Sequence, residues 1–217
     1  MNARPLVAVV DYGAGNLVSI HQALTTVGAD VRIADAPSGL AGADAVIVPG
    51  VGAAAPAMVR LRNQGLADPI DAWLTADRPF LGICLGLQLL FEGSDEDEAI
   101  TFGALPGRTV RLPDAPTLPH IGWNQVERTR PHAIFGGIDD GADFYFVHSY
   151  AGAPSDGAAG ADTTDRDDLV LARTTHGQPF VSAVARGSMV GVQFHPERSG
   201  TDGLRLLGNF VDLVRAA

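Results

Sequence analysis

Four short, largely apolar runs in the first half of the chain constrain its fold more than any other feature. Each run is four or five residues long, and glycine-rich turns and helix-like segments separate the runs. Strands that are apolar on both faces and alternate with helices are typical of a parallel sheet that helices cover on both sides. We therefore predict strands at residues 6–10, 31–34, 45–48 and 80–83.

The spacing of apolar residues predicts the helices between these strands. After the turn at residues 11–16, Leu17, Ile20 and Leu24 recur at helical spacing, and Gly28 supplies a stop. The same reasoning places helices at residues 54–62, 69–76 and 85–91.

The second half of the chain changes from strand–helix alternation to strands joined by short turns. We predict that these strands extend the same sheet in an antiparallel arrangement, which gives an α/β fold with a mostly parallel central sheet in a single domain, residues 1–217. Residues 151–168 are rich in Ala, Gly and Asp, and we predict a solvated loop there. The predicted strands cover residues 109–112, 124–128, 144–147, 169–174, 180–185 and 189–194, and an amphipathic helix covers residues 204–214.

Composition excludes several classes of function. The net charge is −10 and all 15 basic residues are arginines, so the acidic surface repels phosphate backbones and disfavours a nucleic-acid partner. No apolar run approaches the roughly 20 residues that cross a bilayer, and no secretory signal precedes the first strand. We therefore expect a cytoplasmic protein without a membrane partner. The one cysteine excludes an intramolecular disulfide and a multi-thiolate metal site.

That cysteine, Cys84, lies between a predicted buried strand and a predicted helix, in the sequence Gly82-Ile-Cys-Leu-Gly86. The pattern Gly-x-nucleophile-x-Gly is typical of a nucleophile elbow, whose flanking glycines avoid collisions with the neighbouring strand and helix. At a helix N-terminus, unpaired N–H groups favour a thiolate, and the N–H of Leu85 points to where an oxyanion would form. The pattern alone leaves a small buried hydrophobic cysteine as the alternative.

A nucleophilic cysteine needs a base, and His195 is the best placed of the six histidines. It follows an apolar strand in the sequence His195-Pro-Glu197, where Pro196 favours an extended backbone. Residues two apart in an extended segment project to one side, so Glu197 can reach one ring nitrogen of His195 and leave the other to face the thiol. His120 and His148, which flank predicted strands, remain open as alternatives.

Together, the segment Gly-Ile-Cys-Leu-Gly-Leu-Gln at 82–88 and the segment His-Pro-Glu at 195–197 resemble the motifs of class I, triad-type glutamine amidotransferases, whose fold is flavodoxin-like. Four further segments narrow the resemblance to the glutaminase subunits of imidazole glycerol phosphate synthases. The resemblance covers residues 7–214, nearly the whole chain. The four segments are Asp-Tyr-Gly-Ala-Gly-Asn at 11–16, Pro-Gly-Val-Gly at 49–52, Pro-His-Ile-Gly-Trp-Asn at 119–124 and Tyr-Phe-Val-His-Ser-Tyr at 145–150.

The resemblance implies an enzyme that hydrolyses glutamine to glutamate and ammonia through a thioester on Cys84. His195 would be the base, and Glu197 would orient it. The resemblance implies no metal and no organic cofactor.

The same resemblance implies an oxyanion hole and a glutamine pocket. The oxyanion donors would be the N–H of Leu85 and a second N–H at Val51 or Gly52, which a peptide flip in the 49–52 segment brings into place. The glutamine-binding residues would be Gly50, Gly52, Gln88, Glu96, Ser149 and Tyr150.

A partner is also implied by the resemblance. It is a cyclase subunit with a (β/α)8-barrel fold, which forms a heterodimer with the glutaminase and uses its ammonia. Asn16, Trp123 and Asn124 would face this barrel. On the sequence alone, a core position for Trp123 is equally well supported.

Other functions fit parts of the sequence. A free-standing cysteine hydrolase would share the elbow but would not respond to a barrel subunit. A catalytically silent binding subunit would share the fold, although the presence of Cys84, His195 and Glu197 argues against it. A glutaminase subunit of another class I amidotransferase is a closer rival, and the segments at 49–52 and 122–124 speak against it.

Overall fold

A nine-stranded sheet forms the centre of the protein. The computed structural model describes residues 4–155 and 168–217. The strands in chain order are β1 (Leu6–Val10), β2 (Asp30–Ala34), β3 (Ala45–Gly50), β4 (Phe80–Cys84), β5 (Gly93–Ser94), β6 (Ala99–Ile100), β7 (Arg108–Arg111), β8 (His120–Arg128), β9 (Ala142–His148), β10 (Tyr150–Ala153), β11 (Val170–His176), β12 (Gln178–Arg186) and β13 (Met189–Val192).

Five strands of the large sheet run parallel, in the order β2, β1, β3, β4 and β13. The other four strands, β12, β11, β8 and β9, continue the sheet in an antiparallel arrangement. This confirms the predicted α/β fold with a parallel part and an antiparallel extension. Strands β3 and β4 are buried along their whole length, as expected of strands with apolar residues on both faces.

Helices cover both faces of the parallel part. The flanking helices are α1 (Leu17–Thr26), α2 (Ala54–Asn63), α3 (Ala67–Thr75), α4 (Leu85–Gln88) and α5 (Gly200–Ala216). Alternate residues of β1 point to opposite sides: Val7 and Val9 join one core with α1 and α5, and Ala8 and Val10 join another with α2 and α3. The parallel part of the sheet therefore lies between two apolar layers.

A second, smaller sheet, in the order β10, β7, β5 and β6, lies outside the predicted architecture. The strand predicted at 109–112 is β7, and it belongs to this small sheet, not to the large one. Strand β10 also occupies the start of the stretch predicted as a loop at 151–168, because Gly152 pairs with Thr109. Strands of two to four residues carry too little pattern to be recognised in the sequence. Residues 156–167 of the predicted loop lie outside the described residues.

Several further element bounds differ from the predictions; the C-terminal helix, for example, begins at Gly200 and not at residue 204. In two cases the hydrogen bonds explain the difference. The helix predicted at 85–91 ends at Gln88, because the N–H groups of Leu90 and Phe91 donate to carbonyls only three residues back. Strand β8 begins at His120 instead of Asn124, because residues 120–126 pair continuously with β9. Within the described ranges, no helix is long and apolar enough to span a membrane.

Candidate active site

The carboxyl ends of β3, β4 and β13 meet at one edge of the sheet. Gly50 at the end of β3 pairs with Cys84 at the end of β4. On the other side of β4, Val192 at the end of β13 pairs with Ile83, so the segment after Val192 begins beside Cys84. In parallel sheets this edge is where ligand sites form.

Cys84 occupies a sharp strand-to-helix turn with φ 54° and ψ −107°, a conformation that non-glycine residues rarely adopt. A Cβ on Gly82 would lie 2.6 Å from the carbonyl oxygen of Gly86, and a Cβ on Gly86 would lie 1.8 Å from that of Val48. The two glycines are therefore required by the neighbouring helix and strand, as the sequence pattern predicts. The turn has the geometry of a nucleophile elbow.

His195 and Glu197 form a buried pair close to this turn. Oε1 of Glu197 lies 2.8 Å from Nδ1 of His195, so Nδ1–H donates to the carboxylate. Glu197 reaches the ring from a 3-10 turn, Pro196–Arg198, and not from the predicted extended segment. His195 itself is extended, with φ −103° and ψ 93°, as expected of a residue before proline.

The second ring nitrogen of His195 faces the thiol. Within the described residues, Nε2 of His195 is buried without a conventional hydrogen-bond partner. Burial alone would lower the pKa of His195, but its interactions with Cys84 and Glu197 outweigh burial and raise the pKa to about 10. A histidine held in its protonated form beside a cysteine can stabilise a thiolate and later deliver a proton to a leaving amine.

Backbone contacts that the sequence does not predict hold His195 in place. The N–H of His195 donates to the carbonyl of Tyr145 at 2.9 Å. The hydroxyl of Ser199 donates to the carbonyl of His195 at 2.6 Å and accepts from the N–H of Tyr145 at 3.0 Å. Ser199, four residues after His195 and next to the 3-10 turn, therefore links the backbone of the base to that of Tyr145.

The predicted oxyanion residues lie at the mouth of the elbow. Leu85 is the first residue of α4, where N–H groups have no helical acceptor. Val51 is exposed, and Gly52 has φ +95°, a conformation that glycine adopts at no steric cost, with no atom within 4 Å of an added Cβ. Gly50 is confined: a Cβ there would lie 1.9 Å from the hydroxyl of Tyr12.

Tyr12 is a buried residue of this site that the sequence pattern does not single out. Its side chain is 1% exposed, and its hydroxyl has no hydrogen-bond partner among residues 4–155 and 168–217. Burial, and then the neighbouring Cys84, raise the pKa of Tyr12. The hydroxyl is therefore neutral at physiological pH and fills the space under Gly50.

Gln193 is a second residue of the site that is absent from the sequence predictions. Its Nε2 donates to Sγ of Cys84 at 3.6 Å, and its Oε1 accepts from Nε2 of Gln88 at 3.1 Å. The thiol also lies 3.9 Å from the carbonyl of Val147. The signal for Gln193 in the sequence is its position two residues before His195 on the same strand end, where both side chains project to one side.

The predicted glutamine-binding residues divide between the two sheets. Gln88 is buried one helical turn after Cys84, and its Nε2 donates to the carbonyl of Tyr150 at 2.8 Å. Tyr150 begins β10 of the small sheet, and Ser149 precedes it. Glu96 lies in the turn between β5 and β6 of that sheet, and partial burial followed by Asp97 raises its pKa.

The predicted partner-facing residues occupy different environments. Asn16 is exposed and caps α1 by accepting from the N–H of Ser19 at 3.3 Å. Trp123 is 57% exposed, which excludes a core position. Asn124 projects from the opposite face of β8 and donates to the carbonyl of Thr175 at 2.9 Å. Of Trp123 and Asn124, Trp123 is therefore the more exposed residue.

Among the described residues, no three His, Cys, Asp or Glu side chains are arranged to hold a metal ion. The chemistry that the chain's own side chains supply at the elbow is that of a thiol, an imidazole and a carboxylate. That combination supports nucleophilic acyl transfer.

The chain matches known proteins in sequence along nearly its whole length. Residues 8–213 match the family model described as glutamine amidotransferase class-I. Imidazole glycerol phosphate synthase subunit HisH of Moorella thermoacetica is 45% identical over 215 residues, which are 99% of this chain and 97% of that protein. The subunit of the same name from Microcystis aeruginosa is also 45% identical, over 97% of this chain and 96% of that protein.

Solved structures share the fold at lower sequence identity. PurLQS from Thermotoga maritima has a TM-score of 0.71 and 18% identity, covering 96% of this chain and 98% of that one. A glutamine amidotransferase from the same organism has a TM-score of 0.63 and 18% identity, covering 91% of this chain and 77% of that one. At these identities the likeness concerns the fold alone.

Proposed function

The chain belongs to the class-I glutamine amidotransferase family, and from this premise we propose that it is the glutaminase subunit of an imidazole glycerol phosphate synthase in histidine biosynthesis. It is a glutamine amidotransferase, and the relatives named as one subunit of a synthase imply a partner subunit. The observation that carries the proposal for the site is the buried pair of His195 and Glu197 at the same sheet edge as Cys84.

The proposed chemistry begins with Cys84. His195 takes the thiol proton, the sulfur attacks the side-chain amide carbon of glutamine, and the carbonyl oxygen becomes an oxyanion. His195 delivers a proton to the departing nitrogen, so ammonia leaves and a glutamyl thioester remains. Water, deprotonated by the same histidine, then attacks the thioester and releases glutamate and the thiol.

An amide is a poor electrophile, so the oxyanion needs preorganised donors. We propose the N–H of Leu85 and an N–H of the 49–52 segment, at Val51 or Gly52. Loss of one such donor typically lowers the rate about 100- to 1,000-fold. The open space around Gly52 supports a peptide flip as the step that completes the oxyanion hole.

The proposed glutamine pocket uses Gly50, Gly52, Gln88, Glu96, Ser149 and Tyr150. Two lone pairs of the Tyr150 carbonyl are already used by Gln88 and His148, which donate to it at 2.8 Å each. Backbone contacts from this segment to glutamine would therefore come from N–H groups. Glu96 would hold the α-ammonium group through its carboxylate.

The proposed partner is the cyclase subunit, a (β/α)8 barrel that uses the ammonia to form imidazole glycerol phosphate and aminoimidazole carboxamide ribotide. An exposed apolar pair supports a protein interface on β8, because Ile121 and Trp123 are 59% and 57% exposed on one face of that strand. Asn16 and Asn124 would lie at the same interface. A cytoplasmic location is part of the proposal, since an unpaired catalytic thiol stays reduced there.

The deciding experiment is a glutaminase assay with and without the barrel subunit and its cyclase-site ligand, with Cys84→Ala as the blank. We expect turnover that depends on the barrel and labelling of Cys84 by a glutamine-like chloroketone. Trp123→Ala should weaken barrel binding about tenfold or more, as expected for an exposed aromatic anchor. Ile100→Ala, a matched change of an apolar residue that is 75% exposed on the small sheet, should not weaken it.

Two results would contradict the proposal. Full glutaminase turnover without response to the barrel would indicate a free-standing hydrolase. An unlabelled Cys84 in the assembled complex would indicate a catalytically silent subunit.

A further inference from the structure

Two buried histidines outside the catalytic pair form one continuous hydrogen-bond chain. His120 on β8 and His148 on β9 are register partners, and Nδ1 of His120 lies 3.0 Å from Nε2 of His148. At one end, Nδ2 of Asn124 lies 3.2 Å from Nε2 of His120. At the other end, Nδ1 of His148 lies 2.8 Å from the carbonyl oxygen of Tyr150. The hydrogen-bond chain therefore runs from β8, the strand that carries Trp123, to the proposed glutamine pocket.

Backbone groups at the Tyr150 end fix the ring tautomers. A carbonyl oxygen can only accept, so Nδ1 of His148 must carry a hydrogen. In a neutral ring Nε2 is then the acceptor, and His120 must donate to it from Nδ1. The free Nε2 of His120 is in turn an acceptor for Asn124.

Backbone groups at the Asn124 end give the same assignment independently. The side-chain oxygen of Asn124 accepts from the N–H of Gln125 at 2.9 Å, and its Nδ2 donates to the carbonyl of Thr175 at 2.9 Å. This fixes the orientation of the amide, so Nδ2 is the atom that donates to His120. The two ends agree, and every bond in the chain has a donor and an acceptor in one direction.

The surroundings keep both rings neutral. His120 and His148 are 4% and 6% exposed. Burial, and then the nearby His176, lower the pKa of His120 to about 4. Burial, together with the nearby His120, His176 and His195, lowers the pKa of His148 to about 3, against the opposing effect of the hydrogen bond to Tyr150.

Aromatic packing holds the rings in position. His120 stacks between Phe146 at 5.0 Å and His176 at 4.1 Å, and His148 lies 4.9 Å from Phe180 between ring centroids. His176 donates from Nε2 to the carbonyl of Thr117 at 2.9 Å, so it stacks on His120 but is not part of the hydrogen-bond chain. Such rings do not converge on a common point, in keeping with the absence of a metal-holding group among the described residues.

At its inner end the chain reaches the nucleophile through two glutamines. The carbonyl of Tyr150 accepts from Nε2 of Gln88 as well as from His148. Gln88 donates its other hydrogen to Gln193, and Gln193 donates to Sγ of Cys84. Among the described residues, neither histidine is hydrogen-bonded to the thiol, and the hydrogen-bonded route from them to Cys84 runs through Tyr150 and the two glutamines.

We propose that His120 and His148 are positioning residues that fix the Tyr150 carbonyl relative to Asn124 on β8. Through the Tyr150 carbonyl they also position Gln88 and Gln193. Strand β8 is the strand that carries the exposed Trp123. The link couples the proposed partner face to the glutamine pocket, and it rests on the proposed function in that respect. A partner that fixes β8 would thereby fix the pocket.

Two variants of His148 separate the two ends of the link. In a His148→Asn variant, the side-chain amide would lie near the position of the Nδ1 atom of the imidazole. In a His148→Gln variant, the longer side chain would place the amide near the position of Nε2. His148→Asn therefore keeps the donor to Tyr150 and removes the bond to His120, whereas His148→Gln keeps the bond to His120 and removes the donor to Tyr150. His176→Gln, which preserves the donor to Thr117, is the matched control.

The test is steady-state glutaminase kinetics of each variant, both in the complex with the barrel subunit and without the barrel. We expect His148→Gln to raise KM for glutamine about tenfold with kcat within about threefold of wild type. We expect His148→Asn to keep KM within about twofold but to lower the stimulation by the barrel about tenfold. His176→Gln should behave as wild type, and all variants should bind the barrel with unchanged affinity.

Equal behaviour of the Asn and Gln variants, whether both match wild type or both lose activity in the same way, would overturn the proposal. If His148→Gln does not fold, His120→Phe replaces it: the ring keeps its stacking but loses both nitrogens, and stimulation should fall about tenfold with KM unchanged. A wild-type complex without stimulation would refute the proposed function together with the coupling. A stimulated wild type with equally stimulated variants would refute the positioning role alone.

Discussion

Oε1 of Glu197 lies 2.8 Å from Nδ1 of His195, and these side chains are 4% and 6% exposed. Because the pair is shielded from water, the carboxylate stabilises the protonated ring more than a surface carboxylate would. We expect Glu197→Gln to lower kcat about 100-fold or more, with a smaller change in KM. Steady-state glutaminase assays in the complex measure this. Glu127→Gln, at an exposed position of β8, is the control, and undiminished kcat in Glu197→Gln would remove Glu197 from its proposed role.

The raised pKa of His195 predicts a loss of stability at alkaline pH. The pKa is about 6.5 in an unfolded chain and about 10 in the folded protein. The protonated ring therefore stabilises the fold fully below about pH 6.5, and this stabilisation is lost as the pH rises towards 10. Urea unfolding between pH 6.5 and 9.5 should show a steeper fall in the free energy of unfolding for wild type than for His195→Gln. Parallel curves for the two proteins would contradict the prediction.

The lowered pKa values of His120 and His148 predict the opposite behaviour in acid. Their folded pKa values, about 4 and about 3, lie below the unfolded value, so the unfolded chain takes up protons first. The free energy of unfolding should therefore fall as the pH drops from about 6.5 towards 4. His120→Phe should reduce the slope in urea titrations over this window, and His21→Gln, an exposed position on α1, should not. An unchanged slope in His120→Phe would show that this ring titrates normally.

The elbow glycines should be intolerant of a single methyl group. A Cβ on Gly86 would lie 1.8 Å from the carbonyl oxygen of Val48, and backbone cannot move aside at low cost. We expect Gly86→Ala to lower the free energy of unfolding by about 3 kcal/mol or more. Gly208→Ala, within α5, is the control. Its Cβ would lie 3.8 Å from Val27, and helix propensity predicts that the free energy of unfolding rises by about 0.5 to 1 kcal/mol. Chemical denaturation of the two variants decides the matter, and equal stabilities would be the contrary result.

Gly50 and Tyr12 should show energetic coupling. A Cβ on Gly50 would lie 1.9 Å from the Tyr12 hydroxyl, but 3.2 Å from the ring carbon that bears it. Tyr12→Phe alone removes a buried hydroxyl without a partner among the described residues, so it should be neutral or slightly stabilising. In the Gly50→Ala background the same change should restore about 1 to 2 kcal/mol of stability. A double-mutant cycle measured by denaturation tests this, and strictly additive effects would exclude the contact.

The sequence predicts the parallel half of the fold well because four of its five strands are almost wholly buried apolar runs; β2 is partly exposed. Runs such as residues 6–10 and 80–83 have no competing interpretation once glycine-rich turns bound them. The small sheet is not predicted because β5 and β6 contain two residues each, which is too short to show an alternation of apolar and polar residues. The predicted β8 is too short because the side that carries His120 and Asn124 is polar although it packs inward.

The candidate site is predictable where local sequence dictates geometry. Cys84 between two glycines specifies its turn through backbone sterics. The contact between His195 and Glu197 is predicted correctly, but the 3-10 turn that makes the contact is not. Ser199 and Tyr12 cannot be recognised in the same way, and the only local signal for Gln193 is its position two residues before His195. Their contacts depend on which strands become neighbours, and that information is spread over residues far apart in the chain.

The continuous pairing of β8 with β9 restricts how this chain can change in length. His120 pairs with His148 and Trp123 with Tyr145, and no bulge interrupts the ladder between them. One inserted or deleted residue in that interval would exchange the two faces of the strand, turning the indole inward and an imidazole outward. Substitutions can accumulate there singly, but insertions and deletions are expected only in the turns beyond the strand ends. The count of residues from 120 to 123 is thus a stricter constraint on sequence divergence than the identity of any residue between them.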